Sequence, residues 1–149
     1  MDIQSAIVKG TNILKDQHIS TAKLDAEILM AKAIGQDRKY IILNNNKNVE
    51  DVSLKYFEKL IKERASRKPI AYLINKKYFW NSEFFVTKNT LIPRPDTELV
   101  VEKVLDLTVE KKYLNMLEVG IGSGCFDSDT KILPCNCLQY QYDDWGRPI

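Results

Sequence analysis

The chain has 149 residues, which allows one domain or two small ones, and its 44% of hydrophobic residues is enough for a packed core. This content excludes global disorder, and a net charge of +2 is too small to indicate nucleic-acid binding by itself. No apolar run approaches the roughly 20 residues of a membrane span, and the N-terminus lacks the basic start and apolar core of a signal peptide. We therefore expect a cytoplasmic protein with no membrane or nucleic-acid partner.

The spacing of apolar residues predicts five short helices within residues 1–75. Ser20 or Thr21 is suited to cap the second helix, and Gly35 is suited to end it. Helices this short gain little stability alone, so we expect them to pack together as a small bundle. The predicted helices cover residues 3–14, 20–35, 38–43, 54–61 and 69–73.

After residue 75 the period changes to that of strands. Two aromatic runs, at residues 78–80 and 83–86, flank Asn81 and Ser82 and predict a β-hairpin. We expect its aromatic side chains to form the core of a linker rather than a stacking platform for bases. They are Tyr78, Phe79, Trp80, Phe84 and Phe85.

The next segment combines a stiff stretch with a helix and a strand. Two prolines predict that residues 91–95 are extended. Asp96 or Thr97 is suited to cap the following helix, and the helix dipole favours Glu98 in its first turn. A strand is then predicted at residues 116–119.

This strand ends in an acid and opens into glycines, since Glu118 is followed by Gly120, Gly122 and Gly124. A glycine loop lets backbone amides approach a ligand closely, because no Cβ intervenes. A carboxylate at the strand end can accept hydrogen bonds from a cofactor amine or a nearby water. The spacing Glu-x-Gly-x-Gly-x-Gly is typical of S-adenosylmethionine sites, and the alternative is a tight turn without a ligand.

Four motifs occur in a fixed order along the chain. They are Leu-Asp-Ala-Glu-Ile-Leu at 24–29, Arg-Lys-Pro-Ile-Ala-Tyr-Leu at 67–73, Leu-Ile-Pro-Arg-Pro-Asp-Thr-Glu at 91–98, and the glycine loop. Together they resemble the release factor glutamine methyltransferases over residues 1–124. The resemblance implies a small helical domain, a hairpin linker and a Rossmann-like methyltransferase domain.

The same resemblance implies a reaction, a cofactor and a partner. The reaction is methyl transfer from S-adenosylmethionine to the glutamine amide in the Gly-Gly-Gln loop of a peptide chain release factor. By resemblance, Glu118 supports the cofactor loop and a hinge at residues 94–97 borders the pocket. The hinge residues are Arg94, Pro95, Asp96 and Thr97, and the cofactor contacts are Gly120, Ile121, Gly122, Ser123 and Gly124.

The chain also departs from this family. The family grips its substrate glutamine with an Asn-Pro-Pro-Tyr motif, which does not occur here. An amide nitrogen is a poor nucleophile, so the reaction depends on the motif that holds and orients the glutamine. We therefore expect the chain alone to be inactive and to show no measurable S-adenosylmethionine affinity. The alternative is a non-catalytic, release-factor-binding remnant of a truncated or frameshifted gene.

The sequence changes character at residue 125. Cys-Phe-Asp-Ser-Asp-Thr-Lys-Ile-Leu at 125–133 resembles the first splicing block of inteins, in which a cysteine attacks the preceding carbonyl. By this resemblance Cys125 is catalytic and the splice junction follows Gly124. The Thr-x-x-His block and terminal His-Asn pair of inteins do not occur here, so a split intein would need a complementary C-terminal intein-methyltransferase fragment. The alternative is an accidental tail.

Further features of the tail weigh less. Cys135 and Cys137, with Cys125, lack a nearby fourth ligand, so we expect no metal site. Alternating apolar residues over 138–142 predict a half-buried hairpin strand, with a turn at 143–146.

Two other features are expected to be structural. We expect His18, the single histidine, to lie at the surface. A basic stretch, made of six cations, is expected to be a solvated helix face, or else a face toward an acidic release factor or ribosomal RNA. Its members are Lys55, Lys59, Lys62, Arg64, Arg67 and Lys68.

These expectations combine into an α+β protein with a helical bundle, a hairpin linker, the first strand and glycine loop of a methyltransferase domain, and a β-rich tail. The predicted domains are a helical substrate-recognition domain at 1–75, the linker at 76–95, the truncated methyltransferase start at 96–124 and the intein-like tail at 125–149.

Overall fold

A computed structural model of the chain describes residues 1–108, 114–119, 122–125 and 135–140. The chain divides into two units, Met1–Ile74 and Asn75–Ile149, which we describe separately. The described residues contain six α-helices and an antiparallel hairpin, so the predicted α+β class is confirmed. None of the helices in this described part is long and apolar enough to cross a membrane.

The first unit contains the five predicted helices. Their order matches the prediction, and α1 and α4 are longer than the apolar pattern alone indicated. The helices are α1 (Ile3–Asp16), α2 (Ala22–Ile34), α3 (Arg38–Leu43), α4 (Asp51–Ala65) and α5 (Ile70–Ile74).

The ends of α2 show one confirmed prediction and one correction. Gly35 ends the helix at φ 73°, and the amide of Gln36 donates to the carbonyl of Ala31, as in a Schellman motif. Thr21 occupies the N-cap position, but its hydroxyl makes no capping bond. Instead, the Thr21 hydroxyl donates to Asp25 Oδ2 at 3.0 Å, because a buried carboxylate is the stronger acceptor.

Side chains that the sequence analysis did not single out cap two other helices. Asp2 accepts a hydrogen bond from the Ser5 amide at 2.7 Å, which caps α1 and lowers the pKa of Asp2. Asp37 accepts one from the Tyr40 amide at 2.7 Å and caps α3.

The core of the helical unit lies between α1, α2 and α4. A Cβ added at Gly10 of α1 would lie 2.8 Å from Phe57 Cζ and 3.0 Å from Ile61 Cδ1, so the glycine permits a close approach of α1 to α4. The largest fully buried side chains of this core are Ile3, Leu14, Leu29, Met30, Ile41 and Ile61.

A buried ion pair joins α2 to α4. Arg64 Nε donates to Asp25 Oδ2 at 2.7 Å, and the two side chains are 17% and 4% exposed. Arg64 Nη1 also donates to the carbonyl of Lys68 at 3.1 Å, so the pair holds the chain after α4 as well. Buried charges of this kind are stable only when both are paired and hydrogen-bonded.

A second acid of α2 holds the short helix α3. Glu27 Oε2 accepts from Arg38 Nη2 at 2.7 Å and from Arg38 Nε at 2.8 Å. The two acids of the Leu-Asp-Ala-Glu-Ile-Leu motif therefore each tie α2 to another part of the helical unit.

The second unit begins with the hairpin of β1 (Lys76–Phe79) and β2 (Ser82–Phe85). The turn consists of Trp80, at φ 50°, and Asn81, one residue earlier than predicted. Phe79 is buried and meets Phe84 edge to face, with ring centroids 6.3 Å apart. Tyr78 and Phe85 are each 72% exposed, so the prediction that all five aromatic residues form a core is wrong: alternate residues of a strand face opposite sides.

The predicted stiff segment ends one residue early. Pro95 already belongs to a 3₁₀ turn, Pro95–Thr97. The turn is closed by a hydrogen bond from the Thr97 amide to the Arg94 carbonyl at 3.1 Å. Helix α6 (Glu98–Thr108) follows directly, so Asp96 and Thr97 belong to the 3₁₀ turn that precedes it. Glu98 Oε1 accepts from the Trp80 amide at 3.0 Å, which ties the hairpin turn to the start of α6.

The predicted strand at 116–119 is confirmed as part of β3 (Leu114–Val119). A further strand, β4 (Cys135–Tyr140), pairs with it in parallel, from Leu114 opposite Cys135 to Val119 opposite Tyr140. Residues 138–140 are therefore in a strand, but the prediction of a hairpin strand over 138–142 is wrong in its pairing, because β4 runs parallel to β3; residues 141 and 142 lie outside the described residues. The predicted turn at 143–146 lies outside the described residues.

One carboxylate links both strands of the hairpin. Glu83 lies opposite Tyr78 in the register, and its Oε1 is 2.8 Å from Lys76 Nζ. Hydrogen bonds from Lys76 and from Tyr78 lower the pKa of Glu83. The same contacts raise the pKa of Lys76 and that of Tyr78.

The buried ion pair leads to a stability prediction. Asp25→Ala leaves Arg64 buried without its partner, and we expect it to lower the free energy of unfolding by about 3–5 kcal/mol. Urea unfolding followed by circular dichroism measures this loss. The control is Glu58→Ala, which breaks an exposed pair with Lys9 (43% and 59% exposed) and should cost less than about 1 kcal/mol. Equal losses for the two variants would show that Asp25 does not hold the bundle.

The hairpin carboxylate leads to a prediction about pH. Because the folded-state pKa of Glu83 is lowered, its contribution is present above the ordinary value of 4.5 and is lost as the pH falls through the lowered pKa. Amide hydrogen exchange in the hairpin should therefore quicken, after correction for intrinsic rates, over that acidic range. Glu83→Gln should abolish this pH dependence, whereas Glu102→Gln, an exposed change in α6, should retain it. The same pH dependence in both variants would contradict the assignment.

Candidate functional site

The glycine loop after β3 has the backbone conformation that glycine alone adopts easily. Gly122 and Gly124 have φ values of 58° and 72°, both in the left-handed region. Ser123 lies between them in the turn and is half-buried. Gly120 and Ile121 lie outside the described residues.

The position of this loop relative to the strands resembles that of a ligand site. In parallel sheets, ligands bind beyond the carboxyl ends of the strands. The carboxyl ends of β3 and β4 lie side by side, and Glu118, opposite Gln139, is the next-to-last residue of β3. In the chain, the glycine-containing segment follows the carboxyl end of β3, which is the end of a parallel strand where a ligand is expected.

The predicted hinge forms the N-terminal approach to α6. Arg94 is extended, at φ −98° and ψ 143°, whereas the three residues after it form the 3₁₀ turn. Arg94, Pro95 and Asp96 are exposed, and Thr97 is half-buried. Within the described residues, no hydrogen bond joins this hinge to the glycine loop. That the two segments border one pocket therefore stays a prediction.

Cys125 follows Gly124 as a half-buried free thiol. The cysteine thus lies immediately after a left-handed glycine, whose lack of a Cβ leaves the carbonyl between them sterically open. No group of three or more metal-ligating side chains occurs among the described residues. Cys135 and Cys137 lie in β4, in register with Leu114 and Met116.

The basic stretch is not one continuous surface. Lys55, Lys59 and Lys62 are exposed on α4, in agreement with a solvated face. Arg64 instead points inward to the buried ion pair with Asp25, and Lys68 Nζ pairs with Glu63 Oε2 at 2.6 Å. The sequence pattern alone could not separate these roles, because the acids that pair with them lie on other turns or helices. His18 is exposed, as predicted.

Among the pockets on the surface of the helical unit are two grooves. One, of 260 Å³, lies between α1 and α4 over an apolar floor that includes Phe57 and Ile61. The other, of 390 Å³, is lined by residues of α1, α2 and α3 together with Asn45. We call the second the α1–α2–α3 groove; no sequence pattern predicts it, since its residues are far apart in the chain.

Comparison with known proteins identifies relatives for most of the chain. The PrmC N-terminal domain family matches residues 5–74. A release factor glutamine methyltransferase of Leptospira interrogans is 38% identical over 131 residues, which cover 87% of this chain and 46% of that protein. One from Clostridium botulinum is 35% identical over 125 residues, or 83% of this chain and 44% of that protein. One from Francisella tularensis is 40% identical over 105 residues, which cover 70% of this chain and 37% of that protein.

The similarity covers most of this chain but only part of each relative. The chain spans less than half the length of these curated relatives. The family match lies within the unit Met1–Ile74, which has its own hydrophobic core. The chain therefore corresponds in sequence to the N-terminal part of a release factor glutamine methyltransferase.

Proposed function

We propose that this chain supplies the release-factor-docking domain and the first part of the cofactor site of a release factor glutamine methyltransferase. The observation that carries the proposal is the match of residues 5–74 to the PrmC N-terminal domain, which falls on one folded unit. The similarity to the methyltransferases continues well beyond that unit, since it covers up to 87% of this chain and 46% of that relative.

The proposed partner is a peptide chain release factor. The relatives are named for the protein that they modify, a release factor. The helical unit of this chain matches the N-terminal domain of that family. A domain that precedes the cofactor site and folds around its own core is suited to hold a macromolecular substrate. Docking of this kind also fits the non-catalytic alternative, in which the chain binds a release factor without modifying it.

The proposed cofactor is S-adenosylmethionine, held by Glu118 and the loop from Gly120 to Gly124, with residues 94–97 at its border. Two described features support this assignment. The loop lies at the carboxyl end of a parallel strand pair, and its glycines at 122 and 124 have left-handed conformations that leave backbone amides accessible. When bound, the cofactor would supply the methyl group.

Methyl transfer itself needs more than these residues. The release factor's glutamine amide must be gripped and oriented, because its nitrogen is a poor nucleophile. The Asn-Pro-Pro-Tyr motif that does this in the family does not occur in the 149 residues. We therefore propose that this polypeptide by itself binds a release factor without methylating it.

We propose a second role for residues 125–149, as the N-terminal fragment of a split intein. The half-buried Cys125 thiol after Gly124 supports it. In this step the thiol sulfur bonds to the Gly124 carbonyl carbon, the peptide C–N bond breaks, and the thiol proton passes to the freed amine of Cys125. The acyl group of residues 1–124 would then pass from the Cys125 sulfur to a thiol or hydroxyl nucleophile of a complementary C-terminal fragment, and the Cys125 thiol would be released with the nucleophile's proton.

Release factor binding tests the first proposal. Calorimetric titration of a peptide chain release factor into the full chain should show one-to-one binding with a dissociation constant on the order of micromolar. Adding S-adenosylmethionine should leave this constant unchanged, because docking is assigned to residues 1–74. Absence of binding would refute the docking role.

Mass spectrometry tests the second proposal. When the chain is mixed with its complementary fragment, residues 1–124 should appear joined to a new C-terminal sequence. Cys125→Ala should abolish this product because it removes the nucleophile, whereas Cys137→Ala should only reduce its yield. Ligated product from the Cys125→Ala chain would rule out the mechanism. If the same genome encodes no complementary fragment, the tail is accidental.

A further inference from the structure

The α1–α2–α3 groove combines an apolar floor with exposed apolar edges. Ile7 and Ile41 are buried in its floor. Val8 and Ile42, at its edges, are 47% and 53% exposed, and Leu43, next to Ile42, is 82% exposed. A groove of 390 Å³ with such edges is large enough to accept one or two apolar side chains of a bound segment.

The cations at this groove are not neutralised by the helical unit itself. Lys15 and Lys23 line it, are exposed, and take part in no ion pair within the described residues. The acid in the lining, Glu27, is already paired with Arg38. The groove therefore presents a net positive charge, which is complementary to an acidic segment.

A buried hydroxyl in the groove lining lacks a partner. Thr11 lies in α1 and is 8% exposed, and its Oγ1 makes no hydrogen bond. Buried polar groups are nearly always hydrogen-bonded, since an unpaired one costs stability. In the free domain the unpaired Thr11 hydroxyl lowers stability. A bound molecule, or a water ordered by that molecule, could accept its hydrogen bond and so favour binding.

We propose that the α1–α2–α3 groove is the docking site for an acidic segment of the release factor that also carries an apolar side chain. The apolar side chain would lie on the floor between Val8 and Ile42, and the acids would face Lys15 and Lys23. Thr11 would gain its missing hydrogen bond on binding. This inference rests on the proposed docking function and assigns it to one face of the helical unit.

Two matched charge reversals on the full chain test the location. Lys15→Glu with Lys23→Glu should weaken release factor binding at least tenfold in calorimetry, because both rim charges become repulsive. Lys55→Glu with Lys59→Glu makes the same change in charge on the exposed face of α4 and should shift the dissociation constant by less than about twofold. Circular dichroism and urea unfolding confirm that both variants are folded.

Thr11→Val tests the hydroxyl separately. Valine keeps the shape and removes the unpaired group, so the urea midpoint should stay the same or rise. Release factor affinity should nevertheless fall about fivefold to tenfold, which a purely structural role of Thr11 would not produce.

The outcomes separate this inference from the proposed function. Binding by the unaltered chain that the groove variants retain would overturn the groove assignment and leave the docking function standing. Equal losses from the two charge reversals would also overturn it, since attraction would then be general or lie on α4. No binding by the unaltered chain would refute the docking function itself.

Discussion

The helical unit depends on a charge that it has removed from water. Asp25 in α2 is almost fully buried and is stable only because Arg64 of α4 and the Thr21 hydroxyl bond to it. Once the two helices are joined there, Gly10 lets α1 lie against Phe57 and Ile61 of α4. The apolar core supplies most of the stabilisation, whereas the ion pair fixes which turns of the helices meet.

The second acid of the same motif extends this arrangement to the surface. Glu27 pairs with Arg38 and so fixes α3, a helix too short to be stable alone, against α2. Glu27 also lines the α1–α2–α3 groove, and its pairing with Arg38 leaves Lys15 and Lys23 as the cations of the lining without an ion pair in the described residues. The two acids of the Leu-Asp-Ala-Glu-Ile-Leu motif are therefore structural, since each pairs with an arginine of another helix.

In our proposal, partner docking and cofactor binding fall in different units of the chain. The proposed docking surface belongs to the unit Met1–Ile74, and the proposed cofactor loop belongs to Asn75–Ile149. Between them in sequence, the hairpin is held to the start of α6 by the bond from the Trp80 amide to Glu98. The parallel pairing of β4 with β3 shows that residues 135–140 form a strand beside residues 114–119.

The sequence by itself determined much of the local structure and the resemblance to release factor glutamine methyltransferases. Apolar spacing placed the helices, Gly35 marked the end of α2, and the aromatic runs marked the hairpin, because these features depend on residues close together in the chain. The glycine spacing after Glu118 likewise predicted a turn that only glycine adopts easily. Only the tertiary structure decided which charges are buried and which are free. Arg64 and Lys59 belong to one basic stretch, yet one pairs with Asp25 in the core and the other faces solvent. The α1–α2–α3 groove and the parallel partner of β3 were likewise hidden, because each is formed by residues that meet only when distant segments pack together.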